Sequence, residues 1–248
     1  RVLPARPDGA ELARAPHRLY GHVAPGEQYS TGRWLDDVRS VMDDPQIAGR
    51  TLIFVGGTGL YFRALTQGLS PMPDIPEAVR TRWRYRLSEE GAERLHRVLR
   101  REDPEAALAI RPADGQRIVR ALEVLEASGR PLSAWQAQSG EGLIAADRAE
   151  RHVLLPERET LYRNIETRLD RMVDEGALDE VKALLALGLD PAMPAMKAIG
   201  VREFAAVLAG EATREAALAA AKTATRQYAK RQMTWFRNQL GEGWTVLR

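Results

Sequence analysis

The sequence predicts an α/β fold, a parallel sheet interrupted by a helical insertion, and three observations carry that prediction. Two strand-like runs, LYGHV (19–23) and TLIFVGG (51–57), bracket a helical pattern, and the second runs into a glycine turn and another helix. PMPDIP (71–76) sets three prolines in six residues, and from 77 to about 138 only helical patterns follow. A strand-like HVLLP (152–156) then precedes long helical patterns to about 240 and a short strand near Trp244–Leu247. Strand, helix, strand and glycine turn is the order of a parallel α/β sheet, and a proline cluster marks a boundary. The expected division is a core of 1–73 and 140–248 around an insertion of 74–139.

Each element has its own signal. Between the first two strands, Ser30 or Thr31 caps a helix carrying Trp34, Leu35, Val38, Val41 and Met42 at helical spacing. The run 51–57 is apolar throughout, the pattern of a strand buried on both faces. The alanine-rich stretch 216–224 is strongly helical. In GLDPAMPAMKAIG (188–200) two prolines break the helices and make a connector.

Composition removes several classes of function. No apolar run approaches the ~20 residues that span a bilayer. The absence of cysteine excludes disulfides and thiolate zinc sites, and the four histidines show no metal-ligand spacing. A net charge of +2 does not announce a nucleic-acid binder, so the positions of the arginines carry the information. With no signal segment and Arg as first residue, the expected protein is cytoplasmic, with its natural N-terminus outside this sequence.

Four places can hold chemistry. Gly56-Gly57-Thr58 ends the second strand, where open α/β sheets bind ligands and a helix start offers free N–H groups; a plain tight turn reads equally well. In DGQRIVRALEVLEASG (114–129), Ile118, Ala121, Leu122 and Leu125 share a face, and Gln116, Arg117 and Arg120 share the neighbouring arc. That trio suits phosphates and base edges, or it is a solvated flank paired to carboxylates. In 158–176 the buried stripe is Leu161, Ile165, Leu169, Met172 and Val173, with Arg168 half-buried at its edge, paired to a structural carboxylate or to an anionic ligand. In AAKTATRQYAKRQMTWFRNQ (220–239), Lys222, Arg226, Lys230 and Arg237 fall within roughly 80°. The far side carries Ala221, Ala224, Tyr228, Trp235 and Phe236. The helix is expected to pack through those aromatics and to track a nucleic-acid backbone with its basic ridge. The arginines at 80–101 are interleaved with Glu89, Glu90 and Glu93 and read as a solvated helical surface.

Taken in order, VGGTGLYFRALTQGLSPMP (55–73), DGQRIVRALEV (114–124), KAIGVREF (197–204) and ATRQYAKRQMTWFR (224–237) resemble the tRNA dimethylallyltransferase (tRNA isopentenyltransferase) family. RAPHRLYGHV (14–23) and YSTGRW (29–34) extend the resemblance over nearly the whole chain. It implies a P-loop kinase-like core with a helical insertion that clasps the tRNA anticodon stem-loop. It also implies transfer of a dimethylallyl group from dimethylallyl diphosphate to the exocyclic amine of the adenosine 3′ of the anticodon, with Mg²⁺ as cofactor and the protein a monomer.

The resemblance assigns roles residue by residue. Gly56 and Gly57 form the pocket loop, and Thr58 contacts the inserted tRNA nucleotide. Arg80 is a further tRNA contact, and Gln116, Arg117 and Arg120 engage the target nucleotide and its loop neighbours. Arg168 holds the diphosphate as the catalytic cation. Lys197, Gly200 and Arg202 belong to a tRNA-contacting loop, and Arg226, Lys230 and Arg237 meet the stem backbone. Two departures stand out. The family's Gly-rich phosphate loop and the Asp-Ser motif with its general-base aspartate are not present, so this polypeptide is expected to start just after them and to be inactive alone. Val201 stands where the family usually carries an aromatic. The rival readings are an adenylate isopentenyltransferase acting on free nucleotide and a non-catalytic RNA-binding module.

Overall fold

The computed structural model describes residues 2–4, 6–138 and 140–248. Ser139, where the sequence puts the end of the insertion, lies outside them. Two compact units result, one of Arg1–Leu65 with Ile144–Arg248 and one of Thr66–Leu143.

The first unit opens with α1 (Gly9–Arg14), whose start is closed by a reciprocal pair: the Asp8 carboxylate accepts from Glu11 N, and Glu11 accepts from Asp8 N. In α2 (Thr31–Met42) it is Ser30 that caps, its hydroxyl accepting from Arg33 N at 3.2 Å. α3 (Gly59–Gln67) follows the glycine turn directly.

Five helices make the second unit: α4 (Glu77–Glu90), α5 (Ala92–Glu102), α6 (Pro104–Ala109), α7 (Gly115–Ser128) and α8 (Leu132–Gln136). Asp103 and Asp114 cap α6 and α7 through their carboxylates. The core is built from Leu95 and Leu99 of α5 and Ile118, Ala121, Leu122 and Val124 of α7, closed by Trp83 and Leu132. The expected apolar face of α7 is thus the buried one, except that Val119 and Val124 join it and widen it. Around it several arginines are paired to carboxylates, Arg86 to Glu90 at 2.6 Å and Arg82 to Glu126 among them, as on a solvated surface.

The chain then returns to the first unit with β1 (His152–Leu154), α9 (Arg158–Asp174), α10 (Ala177–Leu185), α11 (Val201–Leu208), α12 (Arg214–Gln239) and β2 (Thr245–Leu247). β1 and β2 pair in parallel, His152 opposite Thr245 and Leu154 opposite Leu247. Ile165, Leu169, Met172 and Val173 of α9 meet Val181, Val201 and Phe204 in the core. Full burial of an aromatic such as Phe204 contributes about 1.5–3 kcal/mol.

The result is a mostly helical α/β fold with a small parallel sheet, and three expectations are corrected. The run 19–23 is not a strand: Leu19 (φ +61°) and Gly21 (φ +67°) are left-handed, which no extended strand tolerates. The run 51–57 is not a buried strand either. Among the described residues the sheet contains only β1 and β2, and a strand exists only by pairing. Without a partner, Ile53 is 83% exposed and Val55 76%. Finally, α12 packs through Ala217, Ala221 and Ala229, and Tyr228 is exposed. Of the expected aromatics, Trp235 and Phe236 are half-buried.

Candidate functional site

The glycine turn is held from a distance. Gln232 of α12 donates its side-chain N–H to the Gly57 carbonyl at 2.6 Å. One turn further, Trp235 covers Gly59 so closely that a Cβ there would overlap the indole ring. Gln232 and Trp235 are three apart and so share one helix face, which makes them a pair of fasteners. At Gly56 an added Cβ would meet only Phe62 at 3.8 Å, an ordinary contact. The position that requires glycine is therefore Gly59, outside the adjacent pair that the sequence emphasises, since a Cβ at Gly57 would meet only the movable end of the Gln232 side chain. Between them Thr58 is exposed, and its carbonyl accepts from Tyr61 N at 3.0 Å as α3 begins. On the first turns of α3, Tyr61 stacks on Trp34 with centroids 4.5 Å apart, which ties the loop to α2.

In the second unit, α4 and α7 bring Arg80, Arg84 and Arg120 around one buried carboxylate. Glu123 is 5% exposed, and Arg120 Nη1 approaches it to 3.9 Å. Burial pushes the Glu123 carboxyl above its usual range, against the opposing pull of Arg84, Arg120 and Arg80. Burial likewise lowers the pKa of Arg120, with Glu123 opposing. Arg80 spends its Nε–H on the Ile75 carbonyl at 3.2 Å. Arg117 reaches Asp114 at 3.5 Å and stays exposed, as does Gln116 on the first turn of α7. The sequence trio therefore divides: Arg120 belongs to the Glu123 cluster, and Gln116 and Arg117 belong to the helix start.

In the first unit, Arg168 is exposed and not half-buried. The helical projection put it beside the core stripe, but α9 buries a narrower strip than its apolar residues suggest. No carboxylate among the described residues pairs with Arg168. Local desolvation, with Arg171 nearby, still moves its pKa below the usual arginine value. An exposed guanidinium without a carboxylate partner is the type of cation that accepts an anionic ligand.

Lys197 ends the short 3₁₀ turn Pro194–Lys197 and is exposed, as is Arg202 on α11. Gly200 between them has φ +99°, a conformation that other residues adopt only with strain, and its N–H donates to Glu203 at 2.9 Å. Val201 is buried with Phe204 in the core, so its side chain is a packing residue in this chain.

The basic ridge of α12 is real but uneven. Lys222 Nζ meets Asp170 of α9 at 2.6 Å, and Arg226 meets Glu166 at 3.1 Å. Lys230 and Arg237 have no such partner among the described residues; they line a cleft of about 230 Å³ with Arg158 and Tyr162 of α9 and with Met233 and Thr234. Sequence reasoning overlooked Gly59, Gln232 and Trp235 as a lock, although Gly57-Thr58-Gly59 and the three-residue spacing of Gln232 and Trp235 were both readable. It also overlooked Arg158 and Tyr162, four apart on one face of α9. No helix among the described residues is long and apolar enough to cross a membrane.

Residues 1–239 match the IPP transferase family model. The tRNA dimethylallyltransferase of Chelativorans sp. (strain BNC1) is 63% identical over 98% of this chain and 83% of that protein. That of Mesorhizobium japonicum is 58% identical over 100% of this chain and 77% of its own length. These matches do not bear out the expectation of a missing phosphate-loop segment. Among solved structures, the Bacillus halodurans tRNA isopentenylpyrophosphate transferase is 32% identical with a TM-score of 0.64, over 99% of this chain and 76% of that one. A eukaryotic dimethylallyltransferase acting on tRNA is 25% identical with a TM-score of 0.77, over 99% and 63%.

Proposed function

The chain belongs to the IPP transferase family, and from that premise we infer that it transfers a dimethylallyl group from dimethylallyl diphosphate to tRNA. The acceptor is the exocyclic amine of the adenosine 3′ of the anticodon. The observation that carries the reading is 63% identity to a tRNA dimethylallyltransferase along 98% of the chain. We read the α/β core as P-loop kinase-like and the protein as a cytoplasmic monomer.

In the reaction, the amine nitrogen bonds to the allylic carbon as the C–O bond to diphosphate breaks. Pyrophosphate leaves with the bonding pair, and the nitrogen releases a proton. Charge therefore builds on the leaving group, and a cation already in place lowers that barrier without reorganising. Arg168 suits this role because it is uncommitted to any carboxylate among the described residues. Thr58, on its locked turn, is assigned to the flipped tRNA nucleotide, since a stacked base has to leave its helix to react. Arg80, Gln116, Arg117, Arg120, Lys197, Gly200, Arg202, Arg226, Lys230 and Arg237 are assigned to tRNA, with Gly56 and Gly57 as the backbone of the pocket loop.

Mg²⁺ is the cofactor the resemblance implies. The described residues gather no group of three His, Asp or Glu side chains that could hold it. Mg²⁺ keeps several waters and binds through one or two carboxylates plus substrate phosphates, so its place is with the diphosphate, and no step is derived through the ion.

The test uses protein expressed from its own gene, with Mg²⁺, labelled dimethylallyl diphosphate and an anticodon stem-loop carrying adenosine at the target position. Label in the RNA adenosine is expected. Label in free adenylate alone would move the protein to the nucleotide-modifying reading. RNA binding with no transfer to either acceptor would leave a binding module.

A further inference from the structure

The two halves of the α12 ridge face α9 under different electrostatic conditions. α9 runs antiparallel to α12, so successive turns match Asp170 with Lys222, Glu166 with Arg226, and then Tyr162 and Arg158 with Lys230 and beyond. Carboxylates neutralise the first two cations. At the third and fourth turns the counter-charges stop, and the cleft holds Arg158, Lys230 and Arg237 with no carboxylate in its lining. Two guanidiniums lie near the Tyr162 ring, the Arg158 Cζ 5.0 Å and the Arg226 Cζ 6.0 Å from its centroid. Three like charges around one recess repel one another, and a bound anion removes that repulsion.

We propose that this cleft binds a backbone phosphate of RNA, and that Arg158 and Tyr162 of α9 are RNA contacts alongside Lys230 and Arg237. The proposal rests on the tRNA reading above and adds a site on α9 to it. A phosphodiester fits better than the diphosphate of the prenyl donor, because an aromatic ring beside the cations suits a ribose or an unstacked base next to its phosphate.

The experiment measures stem-loop affinity across a salt series for wild type, Arg158→Ala, Lys230→Ala, Arg237→Ala and Arg158→Lys. Arg171→Ala, which removes a charge paired to Glu175 at 3.3 Å on the same helix, is the control. Each cleft alanine variant is expected to weaken binding and to reduce the slope of log K against log salt by about 1. Arg158→Lys retains the slope, and Arg171→Ala leaves it unchanged. Tyr162→Ala weakens affinity with no change in slope, because it removes no charge. Thermal melts identify any variant that fails to fold, and Lys230→Ala, exposed and unpaired, then carries the test. Unchanged slopes in folded variants, with wild type still binding RNA, would overturn the cleft while leaving the tRNA reading intact. Competition by inorganic pyrophosphate that depends on Arg158, with RNA affinity unaltered, would overturn it in favour of a diphosphate site. A wild type that does not bind the stem-loop at all would sink both.

Discussion

The side-chain amide of Gln232 donates to the backbone carbonyl of Gly57 at 2.6 Å, joining residues 175 positions apart. This one bond sets where the turn that presents Thr58 lies against α12. Replacing Gln232 with Ala leaves a half-buried carbonyl without its donor, at a cost of about 1 kcal/mol. The expected outcome is a small drop in melting temperature with faster amide exchange confined to residues 57–59. Unchanged exchange there would show that the turn holds itself.

The neighbouring glycines separate cleanly. Gly59→Ala drives a methyl into the Trp235 ring and is expected to destabilise by roughly 1–3 kcal/mol, the usual cost of overpacking. Gly56→Ala meets only Phe62 at an ordinary distance and is expected to fall within about 0.5 kcal/mol of wild type. Denaturant melts of the two variants check the order; equal effects would contradict the close approach of Trp235.

Arg168 has no carboxylate to lose among the described residues, so Arg168→Ala should fold normally. If it holds charge on the departing pyrophosphate, turnover falls roughly 10²-fold, the scale of removing one such donor. Stem-loop affinity stays near wild type. Steady-state kinetics with an RNA-binding assay decide it; a variant that loses RNA affinity and keeps its turnover rules out the diphosphate role.

Glu123 gives a pH dependence with a definite sign. Its folded pKa is raised by burial, so the folded state holds the proton to higher pH than the unfolded chain does. Below the unfolded pKa of about 4.3 both states are protonated, and wild type and Glu123→Gln have similar stability. As pH rises from there through the folded pKa, wild type loses stability relative to Glu123→Gln, and the difference then stays constant. Melting temperatures of the two proteins from acid to mildly alkaline pH measure it. A gap that moves the other way would mean that Arg80, Arg84 and Arg120 outweigh the cost of burial.

The helices were legible because their signals are local. Ser30 before an apolar stripe, three prolines ahead of a helical run, and the spacing of Ile118, Ala121 and Leu122 all act within one or two turns. The strands were not legible in the same way. LIFV has the composition of a buried strand, but whether an apolar run pairs depends on a neighbour that its own residues do not specify. At the candidate site, the sequence emphasised Gly56 and Gly57, whereas the tight approach is at Gly59, because closeness to Trp235 is a property of two segments.

By itself, then, the sequence determined the helical elements, the α/β class and the family pattern, all of which depend on residue types at short fixed spacings. Tertiary structure decided which charges remain free. Lys222 and Arg226 look identical to Lys230 and Arg237 on a helical projection. Only the packing of α9 against α12 places Asp170 and Glu166 opposite the first pair and Tyr162 and Arg158 beside the second. Coulomb energy depends on distances between segments far apart in the chain, and those distances are set by packing.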